Sequence, residues 1–84
     1  MYKVEWTEKA QKNLEKLDKL IARKIRNKVE NELAKDPYRE GEPLKGNLKG
    51  KWSFHYASYR VVYEIWQSKL LIIVVKVAHR REVY

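Results

Sequence analysis

Hydrophobic and polar positions alternate with a period of two at the start of the chain and again in its second half. Tyr2 to Trp6 alternates large apolar side chains with charged ones, which is typical of a half-buried strand. Three later segments rich in β-branched and aromatic residues are predicted as further strands. They occupy residues 51–56, 59–66 and 70–78. Because only two or three residues separate them, they should pair as antiparallel neighbours.

A helical period governs the region between the first strand and the others. Thr7 is placed to cap a helix whose apolar stripe is Ala10, Leu14 and Leu17. Asp18 is placed to cap a second helix, with a stripe formed by Ile21, Ile25, Val29 and Leu33. Pro37 disfavours helical geometry before it, so this helix is predicted to end near Asp36. Residues 36–50 hold both prolines and all three glycines, and we expect them to form a loop.

The resulting order, β-α-α-β-β-β, predicts an α+β fold. A helical hairpin would pack on one face of a mainly antiparallel, four-stranded sheet. The length of 84 residues suits a single domain over residues 1–84.

Several classes of protein are excluded by composition. Cysteine is absent, which removes disulfide frameworks and thiol nucleophiles and suits a reducing compartment. The longest apolar run, over residues 70–75, is too short to span a membrane, and the chain opens on a strand pattern instead of a signal sequence. We therefore expect a cytoplasmic protein with no membrane partner and no cofactor.

The positive charge is concentrated in the second half of the chain. Residues 1–43 hold 11 Lys/Arg and 9 Asp/Glu, a net +2, whereas residues 44–84 hold 8 and 2, a net +6. Such an asymmetry favours a polyanionic partner, nucleic acid above all, although an acidic protein would also fit.

The predicted strand pairing gathers the basic residues on one side of the sheet. A two-residue turn at 57–58 would place His55 opposite Arg60, and pairing of Trp66 with Leu70 would place Lys76 opposite Arg60. The aromatic residues of the same strands would face the helices. The candidate catalytic residues are Lys51, His55, Arg60, His79, Arg80 and Tyr84. The candidate RNA-binding residues are Lys45, Lys49, Lys76 and Arg81.

These residue types are suited to cleaving RNA without a metal ion. If the 2′-OH attacks its neighbouring phosphorus, the reaction needs a base, an acid and cations that stabilise the phosphorane. Histidine and tyrosine can move protons, and arginine can hold phosphate oxygens with two nitrogens. Only Glu64 and Glu82 supply carboxylates in the second half, too few for a metal site. A merely solvated outer face, with Arg60 paired to either glutamate, is the alternative.

Four segments resemble the RelE/ParE toxin superfamily: LKG at 44–46, GKWS at 50–53, YRVVYEI at 59–65 and VAHRREVY at 77–84. The resemblance covers essentially the whole chain. It implies a toxin of a type II toxin-antitoxin module that is held inactive by a cognate, RelB-like antitoxin. RelE-like members cleave messenger RNA in the ribosomal A site, whereas ParE-like members poison DNA gyrase.

Matched position by position, the resemblance assigns the basic catalytic residues to Lys51, Arg60 and Arg80 and the late tyrosine to Tyr84. This sequence departs from the RelE pattern at Ser53, where relatives have lysine, and at His55, where they have arginine. The interval from Arg80 to Tyr84 is also shorter, and an end at Tyr84 would leave no room for the carboxy-terminal helix of many relatives.

Three functions are compatible with these features. The first is a ribosome-dependent mRNA endoribonuclease, which Arg60, Arg80 and Tyr84 favour. The second is a ParE-like gyrase inhibitor without nuclease activity. The third is a general RNA-binding module, which would display exposed aromatic side chains for base stacking. Among the strand aromatics, only Trp66 is predicted to lie on the basic side.

Overall fold

The computed structural model describes residues 1–81, and within them five strands form one mixed sheet in the order β1-β5-β4-β3-β2. The strands are β1 (Lys3–Trp6), β2 (Glu42–Pro43), β3 (Trp52–Tyr56), β4 (Tyr59–Trp66) and β5 (Leu71–His79). The helices are α1 (Glu8–Glu15), α2 (Lys19–Asn31) and the short α3 (Pro37–Glu40). Three 3₁₀ turns cover Leu33–Lys35, Gly46–Leu48 and Gln67–Lys69.

The predicted α+β class and mainly antiparallel sheet are confirmed. Only β1 runs parallel to its neighbour, β5, and the other pairs are antiparallel. The sheet has five strands instead of the four expected, because two residues in the predicted loop pair with β3 as β2. So short a strand leaves no alternating pattern in the sequence.

Local signals set the starts of both main helices. The Thr7 hydroxyl accepts a hydrogen bond from the Ala10 amide, and the Asp18 carboxylate accepts one from the Leu20 amide, as predicted. The α-helical part of the second helix ends at Asn31, and the chain continues as a 3₁₀ turn to Lys35. No helix in residues 1–81 is long and apolar enough to cross a membrane.

The core lies between the helices and one face of the sheet. The apolar stripes of α1 and α2 are buried against alternate residues of β3, β4 and β5. Buried members include Leu14, Ile25, Val29, Phe54, Val61, Tyr63, Ile72 and Val74. This packing leaves the opposite face of the central strands to the polar and basic residues.

An irregularity between β4 and β5 changes the predicted register. Tyr63 pairs with Val74, but Val62 pairs with Lys76, so Val75 is an extra residue on β5. The Asn13 side chain of α1 accepts a hydrogen bond from the Val77 amide just beyond it, at 3.0 Å. The predicted pairing of Trp66 with Leu70 was also wrong, because Trp66 pairs with Leu71. Both shifts together overturn our expectation that Lys76 lies opposite Arg60, and Ala78 occupies that position.

Residues 36–43 also differ from the expected loop. Asp36 caps α3 by accepting from the Arg39 amide, with Pro37 at the first helical position. The buried Tyr63 hydroxyl donates to the Pro37 carbonyl at 2.7 Å and so fixes this segment to the sheet. Burial, reinforced by the negative charge of Glu40, raises the pKa of Tyr63 above its ordinary value.

Candidate active site

The sheet face turned away from the helices carries Lys51, His55, Arg60 and Lys76, and we call it the basic face. His55 and Arg60 are direct partners on β3 and β4, as the two-residue hairpin turn predicted. Ala57, the first turn residue, has a φ of +52°, the left-handed geometry that such turns require at this position. The turn therefore fixes a histidine and an arginine side by side.

Lys51 and Glu64 form an ion pair at the other end of the basic face. The Lys51 Nζ atom lies 3.2 Å from Glu64 Oε2, and both side chains are partly exposed. This pair uses the one carboxylate that β4 contributes to this side of the sheet. Lys51 is consequently a neutralised cation that a phosphate could engage only by competing with Glu64.

A buried patch lies between these two ends. Ser53 and Val62 are paired across β3 and β4 and are 3% and 4% exposed, although they point away from the helical core. Lys76 flanks Val62 on the third strand. Among residues 1–81, the Ser53 hydroxyl has no hydrogen-bond partner. The basic side chains therefore surround a buried patch formed by Ser53 and Val62. A lysine at position 53 would have to extend out of this patch toward solvent.

The end of β5 brings Arg80 close to the β3–β4 turn. The Arg80 amide donates to the Ser58 carbonyl at 2.8 Å, and the Arg80 side chain is exposed. The hydrogen bond places the chain just after β5 beside the hairpin that carries His55 and Arg60. Arg80 thus joins the His55 end of the basic face through its backbone.

His79 lies on the other side of the sheet. It pairs with Tyr59, whose ring packs against the helical core, and the two rings meet edge to face at 5.5 Å. The His79 Nδ1 atom accepts the Arg81 amide at 3.3 Å. His79 lines a groove of about 440 Å³ together with Asn13 and Lys16 of the helical layer and with Lys76 of β5. The structure therefore brings His55, and not His79, together with Arg60.

The remaining candidates are peripheral or outside the described residues. Lys45 and Lys49 flank the 3₁₀ turn before β3, and both are exposed, as is Arg81. Tyr84 lies outside the described residues. Within residues 1–81, no group of three or more His, Asp or Glu side chains is arranged to hold a metal ion.

Two features of this surface were not expected from the sequence. The pairing of Ser53 with Val62 was predicted, but its burial was not, because both residues occupy positions expected to be solvated. Lys69, in the turn after β4, lies with its Nζ atom 5.6 Å from the centre of the Trp66 ring. A cation three residues from a strand tryptophan was visible in the sequence, but the turn geometry that joins them was not.

Residues 4–84 match the family described as ParE toxin of type II toxin-antitoxin system, parDE. Toxin RelG of Mycobacterium tuberculosis is 30% identical over 83 residues, covering 99% of this chain and 95% of the relative. Toxin YoeB of Streptomyces coelicolor is 32% identical over 74 residues, covering 83% and 77%.

Solved structures agree with these matches. The toxin-antitoxin complex RelBE2 from Mycobacterium tuberculosis contains a chain with a TM-score of 0.90 at 30% identity, covering 94% of this chain and 98% of that one. The intact Escherichia coli RelBE toxin-antitoxin complex gives a TM-score of 0.79 at 25% identity, covering 94% and 96%.

Proposed function

The chain belongs to the RelE/ParE superfamily of type II toxin-antitoxin toxins, and from that premise we propose that it is an mRNA endoribonuclease of the RelE kind. We propose further that it acts in the cytoplasm, on messenger RNA in the ribosome, without a metal ion. The observation that carries the proposal is the pairing of His55 with Arg60 on the basic face, beside the anchored Arg80.

The basic face offers the groups that attack by the 2′-OH requires. In that reaction the 2′-oxygen forms a bond to phosphorus as the bond from phosphorus to the 5′-oxygen breaks. A base takes the 2′ proton, and an acid protonates the departing 5′-oxygen. Within the proposal, His55 exchanges a proton, Arg60 and Arg80 stabilise the charge on phosphorus, and Tyr84 supplies a second proton-transfer group.

Lys51, Lys76 and the exposed Lys45, Lys49 and Arg81 would bind the RNA backbone in this scheme. Contacts of this kind add affinity without reading sequence. Because Ser53 replaces a family lysine, less positive charge faces the phosphate than in the RelE pattern, and more of the proton transfer would fall to His55.

A cognate antitoxin completes the proposal. The related RelBE structures are complexes of a toxin with its antitoxin. We propose a RelB-like, acidic partner, since residues 44–84 of this chain carry a net +6. Such a partner would bind the basic face or the exposed helices and block access of RNA.

A ParE-like gyrase inhibitor is the second candidate, because the matched family carries the parDE description. One experiment separates the two. After brief induction of the toxin in cells, primer extension on abundant messenger RNAs should show discrete new 5′ ends. Trapped DNA breaks without new RNA ends would instead support gyrase as the target. Arg60→Ala, expressed to the same level, is the matched control and should show neither.

A further inference from the structure

Trp66 is a large aromatic side chain left open on the basic face. It ends β4, in phase with Arg60, Val62 and Glu64, and its side chain is 45% exposed. The other tryptophans, Trp6 and Trp52, both pack against the core. Exposing an indole forfeits the stabilisation that its burial would provide.

The indole ring is nevertheless held in place. Its Nε1 atom donates to Glu64 Oε1 at 3.1 Å, while the other oxygen of that carboxylate binds Lys51 at 3.2 Å. Lys69 stands over the ring with its Nζ atom 5.6 Å from the centre. A side chain with two fixed torsions and a bonded N–H loses little conformational entropy when a ligand stacks on it.

The aromatic ring and the charge around it together favour a single-stranded nucleic-acid ligand. Lys51 and Lys69 together outweigh Glu64. Lys3 and Glu5, exposed on β1 opposite Leu71 and Ile73, cancel each other, so the surroundings of Trp66 carry a net charge of +1. Flat aromatic rings beside cations are how proteins bind single-stranded RNA, because bases stack on the ring while phosphates meet the cations.

We propose that Trp66 is a stacking platform for one base of the single-stranded RNA, with Lys69 moving from over the ring to the adjacent phosphate when the base stacks. This inference rests on the proposed function. Trp66 lies six positions after Arg60 along the extended strand β4, roughly 20 Å away. If the RNA bases stack at a spacing of roughly 3.4 Å, the platform holds a base about six nucleotides from the phosphate at Arg60. An extended RNA backbone would span the same distance with fewer nucleotides.

The test measures binding separately from cleavage. The probes are two labelled strands of about twelve nucleotides, twice that span. One is 2′-O-methylated RNA, which blocks attack by the 2′-OH, and the other is an abasic strand with the same phosphates. Trp66→Ala should weaken binding of the first strand by about 5- to 150-fold, the usual effect of losing one stacked base. Binding of the abasic strand should change less than about twofold.

Two further variants guard against a trivial loss of structure. Trp66→Phe keeps a ring and should bind the RNA strand nearly as well as wild type, but it should lose the fluorescence quenching that a stacked base causes. Trp6→Phe is the matched control, because that indole also donates to a glutamate, Glu30, and lies under a cation, Arg26, but on the helix side. It should retain both binding and quenching.

The outcomes are distinct from those of the proposed function. Equal loss on both strands in Trp66→Ala, or unchanged quenching in Trp66→Phe, would overturn the platform even if wild type cleaves messenger RNA. If Trp66→Ala weakened binding of the antitoxin but left RNA binding unchanged, the platform would also be overturned, and Trp66 would belong to a protein interface. Base-dependent binding through Trp66 in a protein that cleaves nothing would uphold the platform and reject the nuclease.

Discussion

Gly41→Ala tests how the segment before β2 is locked to the sheet. A Cβ atom at this position would collide with the Tyr63 hydroxyl and lie 2.9 Å from Tyr63 Cζ and 3.0 Å from the Ser53 carbonyl oxygen. The backbone is extended there, with φ of −120°, so alanine causes no torsional strain of its own. In the folded state the destabilisation therefore comes from the collision alone. The Tyr63 ring that it displaces is fully buried and cannot move freely.

The size of the effect follows from two costs. Overpacking a core by one methyl group costs about 1–3 kcal/mol. Displacing the Tyr63 hydroxyl from the Pro37 carbonyl leaves buried polar groups unpaired, at about 1–3 kcal/mol more. The reduced freedom of the unfolded chain offsets about 0.4–1 kcal/mol. We expect a net loss of about 1–5.6 kcal/mol, centred near about 3 kcal/mol, and that central value corresponds to roughly 12–24 °C in Tm for a domain of this size.

Urea unfolding and thermal melting followed by circular dichroism measure this loss. Glu42→Ala, at the exposed neighbouring residue, is the control and should change stability by less than about 0.5 kcal/mol. Tyr63→Phe removes the atom that collides. The double variant Gly41→Ala/Tyr63→Phe should therefore lose less stability than the sum of the two single variants' losses, by at least about 1 kcal/mol. A Gly41→Ala protein that melts like wild type would refute the proposed collision with Tyr63. Stability losses that simply add in the double variant would refute it as well.

Three other outcomes are expected. Asn13→Ala should lower the free energy of unfolding by about 1–3 kcal/mol, because the Val77 amide loses its acceptor; an unchanged urea midpoint would argue against that contact. The raised pKa of Tyr63 means that the unfolded chain loses this proton first, so wild-type stability should fall above pH 10.0 by up to about 1.4 kcal/mol per pH unit. Tyr63→Phe should fall less steeply over that range, and parallel curves would contradict the assignment. Arg60→Ala should abolish growth inhibition with an unchanged circular dichroism spectrum, whereas the exposed Arg23→Ala should stay toxic; an unfolded Arg60→Ala would instead mark a structural residue.

The sequence could predict the features that depend only on residues close together in the chain. The caps at Thr7 and Asp18 depend on side chains that bond amides two or three residues away. The two-residue turn at 57–58 fixes the pairing of His55 with Arg60 without help from the rest of the fold. The part of the candidate site that lies on the β3–β4 hairpin could therefore be predicted from local interactions.

Features that depend on distant contacts could not be predicted. Residues 70–75 are all apolar, so a period of two cannot reveal that Val75 is an extra residue, and the irregularity is accompanied by a bond from Asn13 on another layer. This extra residue, together with the pairing of Trp66 with Leu71 instead of Leu70, moved Lys76 away from Arg60. Residues 36–43 carry loop-forming proline and glycine, yet the Tyr63 hydroxyl orders them.

The chemistry of the RNA ends tests the central proposal most directly. Toxin freed of its antitoxin would be incubated with ribosome-bound messenger RNA, and with RNA alone, and the product ends identified by mass spectrometry; the arm without ribosomes would be repeated in excess EDTA. We predict a 2′,3′-cyclic phosphate on one fragment and a 5′-hydroxyl on the other, unaffected by EDTA, with Arg80→Ala slowing the cleavage step by roughly 10²-fold or more. Products with a 5′-phosphate and a free 3′-hydroxyl would contradict attack by the 2′-OH and the roles given to His55, Arg60 and Arg80.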